Sequence, residues 1–180
     1  MKKQIRNVKL SDAAQIADIY GYYVKNTAIS FELSPPSEEE MRHRIEKYTK
    51  VYPWIVLEID GEIIGYAYAG QFRERAAFRF TTEISVYLSL SNLMKGYGRA
   101  LAVELLKELT RRGFYVAIAG ITASNQISIE FFESLGFEEC AKFNNVGYKN
   151  GEWHSVVMLS KNLQEEFPAI PQETSKEFKS

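Results

Sequence analysis

The sequence predicts a single mixed α/β domain, and three observations carry that expectation. Strand-like and helix-like segments alternate along the chain with no internal repeat and no low-complexity linker. Residues 114–123, FYVAIAGITA, form the near-continuous apolar run that suits a strand covered on both faces. A chain of 180 residues, 46% of them hydrophobic, can bury one sizeable core and leaves little room for a second. The domain is expected over residues 1–163, followed by a charged, loosely ordered tail at 164–180 in which Pro168 and Pro171 interrupt any periodicity.

The elements follow in order. Residues 3–10 read as a strand, and Ser11 is placed to cap a helix in which Ile16, Ile19, Tyr20, Tyr23 and Val24 recur at helical spacing. Pro35 and Pro36 then break the chain, and Ser37 with Glu40 offers a capping box for a second helix carrying Met41, Ile45 and Tyr48. From Pro53 onward, two strand-like runs flank Asp60-Gly61, a hairpin signal. In the next strand, period two puts Thr81, Glu83, Ser85 and Tyr87 on a polar face, opposite Phe80, Thr82, Ile84, Val86 and Leu88. A third helix turns Leu101, Leu105, Leu106 and Leu109 inward and ends at Arg111-Arg112-Gly113. After the apolar run a short helix stops at Gly136, and strands around 137–149 and 153–161 close the domain.

The formal net charge of −1 and the lack of a sustained basic run argue against a nucleic-acid or membrane-surface partner, and favour a small ligand. No run approaches membrane-spanning length, and the first residues lead into a strand without a signal-peptide core, so a cytoplasmic protein is expected. Cys140 is the single cysteine and most simply a small buried hydrophobe; His43 and His154 are read as surface or packing residues, and no metal site is expected.

One loop carries chemistry. In residues 92–106, NLMKGYGRALAVELL, Gly96 and Gly98 stand where a helix begins. The first amides of a helix lack intrahelical partners and lie at the positive end of its dipole, so a phosphate can bind there if no side chain intrudes. Met94, Lys95, Gly96, Tyr97, Gly98 and Arg99 form such a cradle, with Lys95 and Arg99 adding charge; a plain glycine-rich helix start is the alternative. Neither a Walker-type phosphate loop nor a dinucleotide-fold third glycine is present, since Leu101 stands in the latter's place.

Taken together in order, TAISFE (27–32), FRERAAF (72–78), TTEISVY (81–87), KGYGRAL (95–101), SNQISIEFFESLGF (124–137) and VGYKNGEWHSV (146–156) resemble the GNAT acetyl-CoA-dependent N-acetyltransferases. The likeness is strongest to the branch that acetylates phosphinothricin and methionine sulfoximine, and it covers roughly residues 4–161. The resemblance implies a mixed, mostly antiparallel central sheet with flanking helices and two central strands splayed apart around the cofactor. It implies that the backbone of Val86, Tyr87 and Leu88 pairs with the pantetheine arm, that residues 94–99 hold the pyrophosphate, and that Asn125 and Ser128 bond the cofactor arm. Helix capping is the alternative for the last two.

Direct attack by the substrate amine on the thioester needs no protein nucleophile, only positioning, proton removal and charge stabilisation. Glu83 matches the family's glutamate as general base; a structural ion pair or a solvated strand residue is its alternative. The amide of Tyr87 or a neighbour can polarise the thioester oxygen. Arg73 and Arg75 can take an acidic group of an amino-acid acceptor, although an isolated loop arginine is more often simply solvated. Phe31 and Phe78 are expected to line the acceptor pocket, with Tyr148 on the far side of the cleft, and the branch implies a homodimer.

The sequence departs from the family at Phe132, where many relatives carry a proton-donating Tyr or His, at Leu93, and at Ser155. Phenylalanine has no proton to give. Two other readings stand beside the amino-acid acetyltransferase: a GNAT acting on a protein N-terminus, polyamine or antibiotic amine, and a CoA-binding regulatory module without turnover.

Overall fold

A computed structural model describes residues 2–168. The strands are β1 (Lys3–Asn7), β2 (Trp54–Ile59), β3 (Glu62–Gln71), β4 (Thr81–Leu88), β5 (Val116–Thr122), β6 (Glu138–Lys149) and β7 (Glu152–Asn162). The helices are α1 (Ala13–Asn26), α2 (Glu38–Tyr48), α3 (Tyr97–Arg111) and α4 (Gln126–Glu133). One sheet of order β1-β2-β3-β4-β5-β7-β6 holds them, antiparallel everywhere except between β4 and β5.

Two cores sandwich the sheet, and the alternation of side chains in β2 shows why. Ile55 and Leu57 turn toward α3 and α4, joining Leu101, Leu105, Leu109, Ile129 and Phe132. Trp54 and Val56 turn the other way, toward Ile16, Tyr20, Tyr23 and Val24 of α1 and Met41 and Ile45 of α2. Within β3, Gly65 allows the close approach of β4: a Cβ there would stand 2.3 Å from Leu88 Cδ2 and 2.9 Å from the Tyr87 carbonyl.

The expected hairpin forms, with Asp60 and Gly61 both left-handed (φ 49° and 90°), and a second of the same kind joins β6 to β7 through Asn150 and Gly151. Ser37 caps α2, its Oγ accepting from the Glu40 amide at 3.1 Å. The reciprocal arm of the box does not form, because the Glu40 carboxylate pairs with Arg44 instead.

Three expectations are corrected. The first strand stops at Asn7 rather than residue 10, because Leu10–Asp12 forms a 3-10 turn. Asp12, not Ser11, organises that turn, accepting from the Lys9 amide at 2.8 Å and from Arg6 at 2.7 and 2.9 Å. Cys140 is exposed, its Sγ 3.3 Å from the Met158 carbonyl, because it lies on edge strand β6, whose residues are almost all exposed. Of the tail, Gln164 Nε2 donates to the Thr110 and Phe114 carbonyls at 3.2 and 3.4 Å, and Phe167 rests 5.6 Å from Tyr115. Residues 169–180 lie outside the described residues.

Candidate active site

The parallel contact between β4 and β5 ends early. Only Thr81↔Val116, Thr82↔Ala117 and Glu83↔Ile118 pair, although β4 continues to Leu88 and β5 to Thr122. Beyond Glu83 the strands diverge and leave two facing backbone edges unsatisfied by each other, in the middle of the sheet. Gly120, within the otherwise buried apolar strand, is exposed for this reason.

Alternation fixes which groups of β4 face the fork. The Ser89 amide donates to the Ile64 carbonyl at 2.9 Å, and Leu88 is registered with Gly65. Leu88 and Val86 therefore occupy non-hydrogen-bonded positions relative to β3 and direct their amides and carbonyls into the fork. Tyr87 directs its backbone to β3, so its neighbours Val86 and Leu88, not Tyr87 itself, turn their amides into the fork. The Leu88 carbonyl already accepts from the Tyr23 hydroxyl at 2.6 Å. The Tyr87 ring is packed among Tyr20, Tyr23 and Tyr66, with centroids 5.2, 5.3 and 5.4 Å away.

At the vertex stands Glu83. Its Oε1 would be 3.1 Å from a Cβ at Gly120, so a larger residue there would crowd the carboxylate. Burial pushes the Glu83 carboxyl above the usual carboxylate range. Among the described residues it has neither an ion pair nor a side-chain hydrogen bond, so the structural alternative finds no partner.

The loop beyond β4 provides the second half of the site. Met94 (φ 59°) and Gly96 (φ 78°) are left-handed, and alternate left-handed residues turn successive amides toward one concave side. Gly96 is the N-cap of α3 with no side-chain cap, which leaves the amides of Tyr97, Gly98 and Arg99 without intrahelical partners. A Cβ on Gly98 would meet Leu88 and Phe131 at an ordinary 3.5 and 3.7 Å. The fold does not require glycine at 98. Lys95 Nζ bonds Asn92 at 3.2 Å, while Arg99 reaches the Ser134 hydroxyl at 3.0 Å.

Asn125 is the N-cap of α4. It accepts from the Ser128 amide at 3.3 Å and donates to the Ser128 hydroxyl at 2.7 Å, the capping arrangement that the residues alone suggested. Phe132 is core, edge-on to Phe131 and Phe137. Ser155 supports the fork's outer arm: its carbonyl accepts from the Ala123 amide at 2.8 Å and its Oγ from the Asn145 amide at 3.1 Å.

On the acceptor side, Arg73 places its guanidinium 5.2 Å from the Phe72 ring and 5.4 Å from that of Phe78, whose residue ends a short 3-10 turn opened by Arg75. Both arginines are exposed, and neither has a carboxylate partner among the described residues. Phe31, in the segment after α1, lies against the far strands: its ring covers Gly147, where a Cβ would stand 2.7 Å from it, and its centroid is 6.0 Å from that of His154. Tyr148 is the residue corrected. It points to the opposite, exposed face of β6, 5.3 Å from Trp153, because its neighbours Gly147 and Lys149 take the inward positions.

Sequence reasoning missed Tyr23, Gly120 and Lys149. Only Gly120 left a trace, as a glycine interrupting an apolar strand; the other two look like a core tyrosine and a hairpin lysine.

Comparison with known proteins agrees with this geometry. Residues 5–158 match the family model described as an acetyltransferase (GNAT) domain. The chain is 33% identical over 168 residues to phosphinothricin N-acetyltransferase of Streptomyces viridochromogenes, covering 93% of this chain and 91% of that protein. To the L-methionine sulfoximine/L-methionine sulfone acetyltransferase of Salmonella typhimurium it is 34% identical, over 89% of this chain and 95% of that one. A GNAT superfamily phosphinothricin acetyltransferase of Sinorhizobium meliloti, solved in complex with acetyl-CoA, superposes with a TM-score of 0.91 at 37% identity, covering 96% of this chain and 95% of that one. A fork at the centre of a mixed sheet, beside a bare helix start and within a chain this similar along its length, makes the protein a member of the GNAT acetyltransferase family.

Proposed function

We propose that this acetyltransferase transfers the acetyl group of acetyl-CoA to the α-amino group of a small amino acid or analogue, of the phosphinothricin or methionine sulfoximine type. The observation that carries the reading is the unpaired, partly buried Glu83 carboxylate at the vertex of the fork. Burial raises its affinity for a proton and so makes it a better base than an ordinary carboxylate, as removal of a proton from a substrate ammonium requires.

The fork fits the cosubstrate. The fork-facing groups of Val86 and Leu88 can accept an extended amide-bearing arm as an added strand, and residues 94–99 can hold a diphosphate on backbone amides. The Val86 amide then serves the thioester oxygen. Asn125 and Ser128 frame the entrance to the arm's channel from α4. With Phe132 in the core, no side chain at that position supplies a proton to the departing sulfur; a thiolate is a good leaving group without one. Arg73 and Arg75 are free to meet the acidic group of the acceptor, with Phe31 and Phe78 around its side chain. This favours an amino-acid acceptor over a polyamine, for which carboxylates would be the complementary lining.

Residues 1–163 form the catalytic unit in this reading, and the protein works in the cytoplasm, where an exposed thiol such as Cys140 persists reduced. No helix among the described residues is long and apolar enough to cross a membrane. It acts as a homodimer. Edge strand β6 is long and exposed, and Phe143, Val146, Tyr148 and Trp153 leave apolar surface along its hairpin, which a second copy would cover.

The test is release of CoA thiol from acetyl-CoA with a panel of acceptors: phosphinothricin, methionine sulfoximine, methionine sulfone, common amino acids, a polyamine and a short peptide. Turnover confined to amino acids and their analogues is expected. Turnover on the polyamine or peptide alone would overturn the reading.

A further inference from the structure

Lysine is among the residues least often buried, yet Lys149 is only 4% exposed. Its ammonium donates to the Val24 carbonyl at 2.7 Å and to the Ser30 carbonyl at 2.6 Å. Val24 lies in the last turn of α1, where carbonyls lack helical partners and the dipole favours a cation. Ser30 lies in the segment 27–33 that follows and carries Phe31 and Glu32.

That segment bridges the fork. Tyr23, at the end of α1, holds the Leu88 carbonyl on the β4 arm. Thr122, at the end of β5, donates to the Ala28 carbonyl at 2.5 Å, and Lys149 at the end of β6 takes Ser30. The Ser30 hydroxyl bonds Tyr20 at 2.7 Å, and Tyr20 in turn donates to Glu32 at 2.8 Å, which Arg44 also holds. Of the five buried polar residues described, Ser30, Thr122 and Lys149 all serve this one bridge. An apolar side chain of similar length would fill the place of Lys149 without desolvating a charge. What the ammonium adds is direction, since two carbonyls on different parts of the chain must converge on one atom.

We propose that Lys149 is a positioning residue for the acceptor: by clamping the end of α1 and Ser30 to the β6–β7 hairpin, it holds Phe31 against Gly147 and so sets the shape of the acceptor pocket. The proposal rests on the acceptor site assigned above. Lys149 acts through Phe31 and does not touch the reacting atoms.

Two variants test it from opposite sides. Lys149→Met removes both bonds and keeps the length; Gly147→Ala keeps the clamp and pushes the Phe31 ring from its seat. Each is expected to raise the acceptor KM ten-fold or more, with kcat within about three-fold and acetyl-CoA affinity within two-fold. An unchanged acceptor KM in either folded variant overturns the proposal, as does an equal loss of acetyl-CoA affinity. Hydrogen exchange at residues 27–33, measured without acceptor, reads the clamp separately. It should quicken ten-fold or more in Lys149→Met, and unchanged exchange overturns the clamp whatever amine the enzyme accepts. Absence of wild-type turnover on any amino acid would instead remove the acceptor assignment, with exchange still deciding the clamp. If Lys149→Met does not fold, Lys149→Gln, which keeps a donor but loses the charge and the reach to both carbonyls, takes its place with the same expected changes in acceptor KM and in exchange at residues 27–33.

Discussion

Glu83 shows how one residue's place can set its chemistry. At the last rung that β4 pairs with β5 it stands over Gly120, partly buried and without a cation partner among the described residues. Burial raises its folded pKa above the ordinary 4.5. A carboxyl with a raised folded pKa favours the fold fully only below its unfolded pKa, and this contribution is lost as pH rises through the folded value. Above that folded value the ionised group therefore costs stability. Glu83→Gln is expected to lower turnover about a hundred-fold or more, the usual scale of a general base, with acetyl-CoA affinity retained. Its Tm should exceed the wild type's at pH above the carboxyl's raised folded pKa and lose that advantage as the pH falls through it. Calorimetric melting at several pH values, together with kcat, checks both. A wild-type pH–rate profile in the variant would dismiss Glu83 as base.

At the level of elements, glycine roles separate by reason. Gly96 is left-handed and needed by the backbone, whereas Gly98 has room for a side chain and an ordinary conformation. Gly98→Asp should therefore fold, and should put bulk and negative charge at the N-terminus of α3, where a diphosphate is expected. We expect the acetyl-CoA Kd to rise at least ten-fold, about 1.4 kcal/mol, by titration calorimetry. Equal affinity would remove the loop from the cofactor site. The helices and hairpins themselves were legible in the sequence because their signals are local: Ser37 at a cap, Asp60-Gly61 at a turn, and leucines of α3 at helical spacing. Ser11 misled because Arg6, six residues before Asp12, recruits that carboxylate into the turn.

For the whole molecule, assembly follows from the exposed hairpin. Trp153→Glu combined with Val146→Lys should convert the expected homodimer to monomer in sedimentation equilibrium, because charges replace apolar surface without touching either core. A wild-type protein that sediments as one chain at micromolar concentration would refute the dimer.

Local patterns of residues suffice for the α/β alternation, the order of elements, the glycine-rich helix start and the polar face bearing Glu83, since each depends on residues within a few positions of one another. The ordered motifs of the sequence also pointed to the family that the comparisons establish. Packing between distant segments instead sets where β4 and β5 part, that Val86 and Leu88 rather than Tyr87 turn their amides into the fork, that Tyr148 faces away, and that Lys149 reaches Val24 across 125 positions of chain. Strand register and burial of a lone charge arise from contacts between distant segments, and no local pattern encodes those contacts.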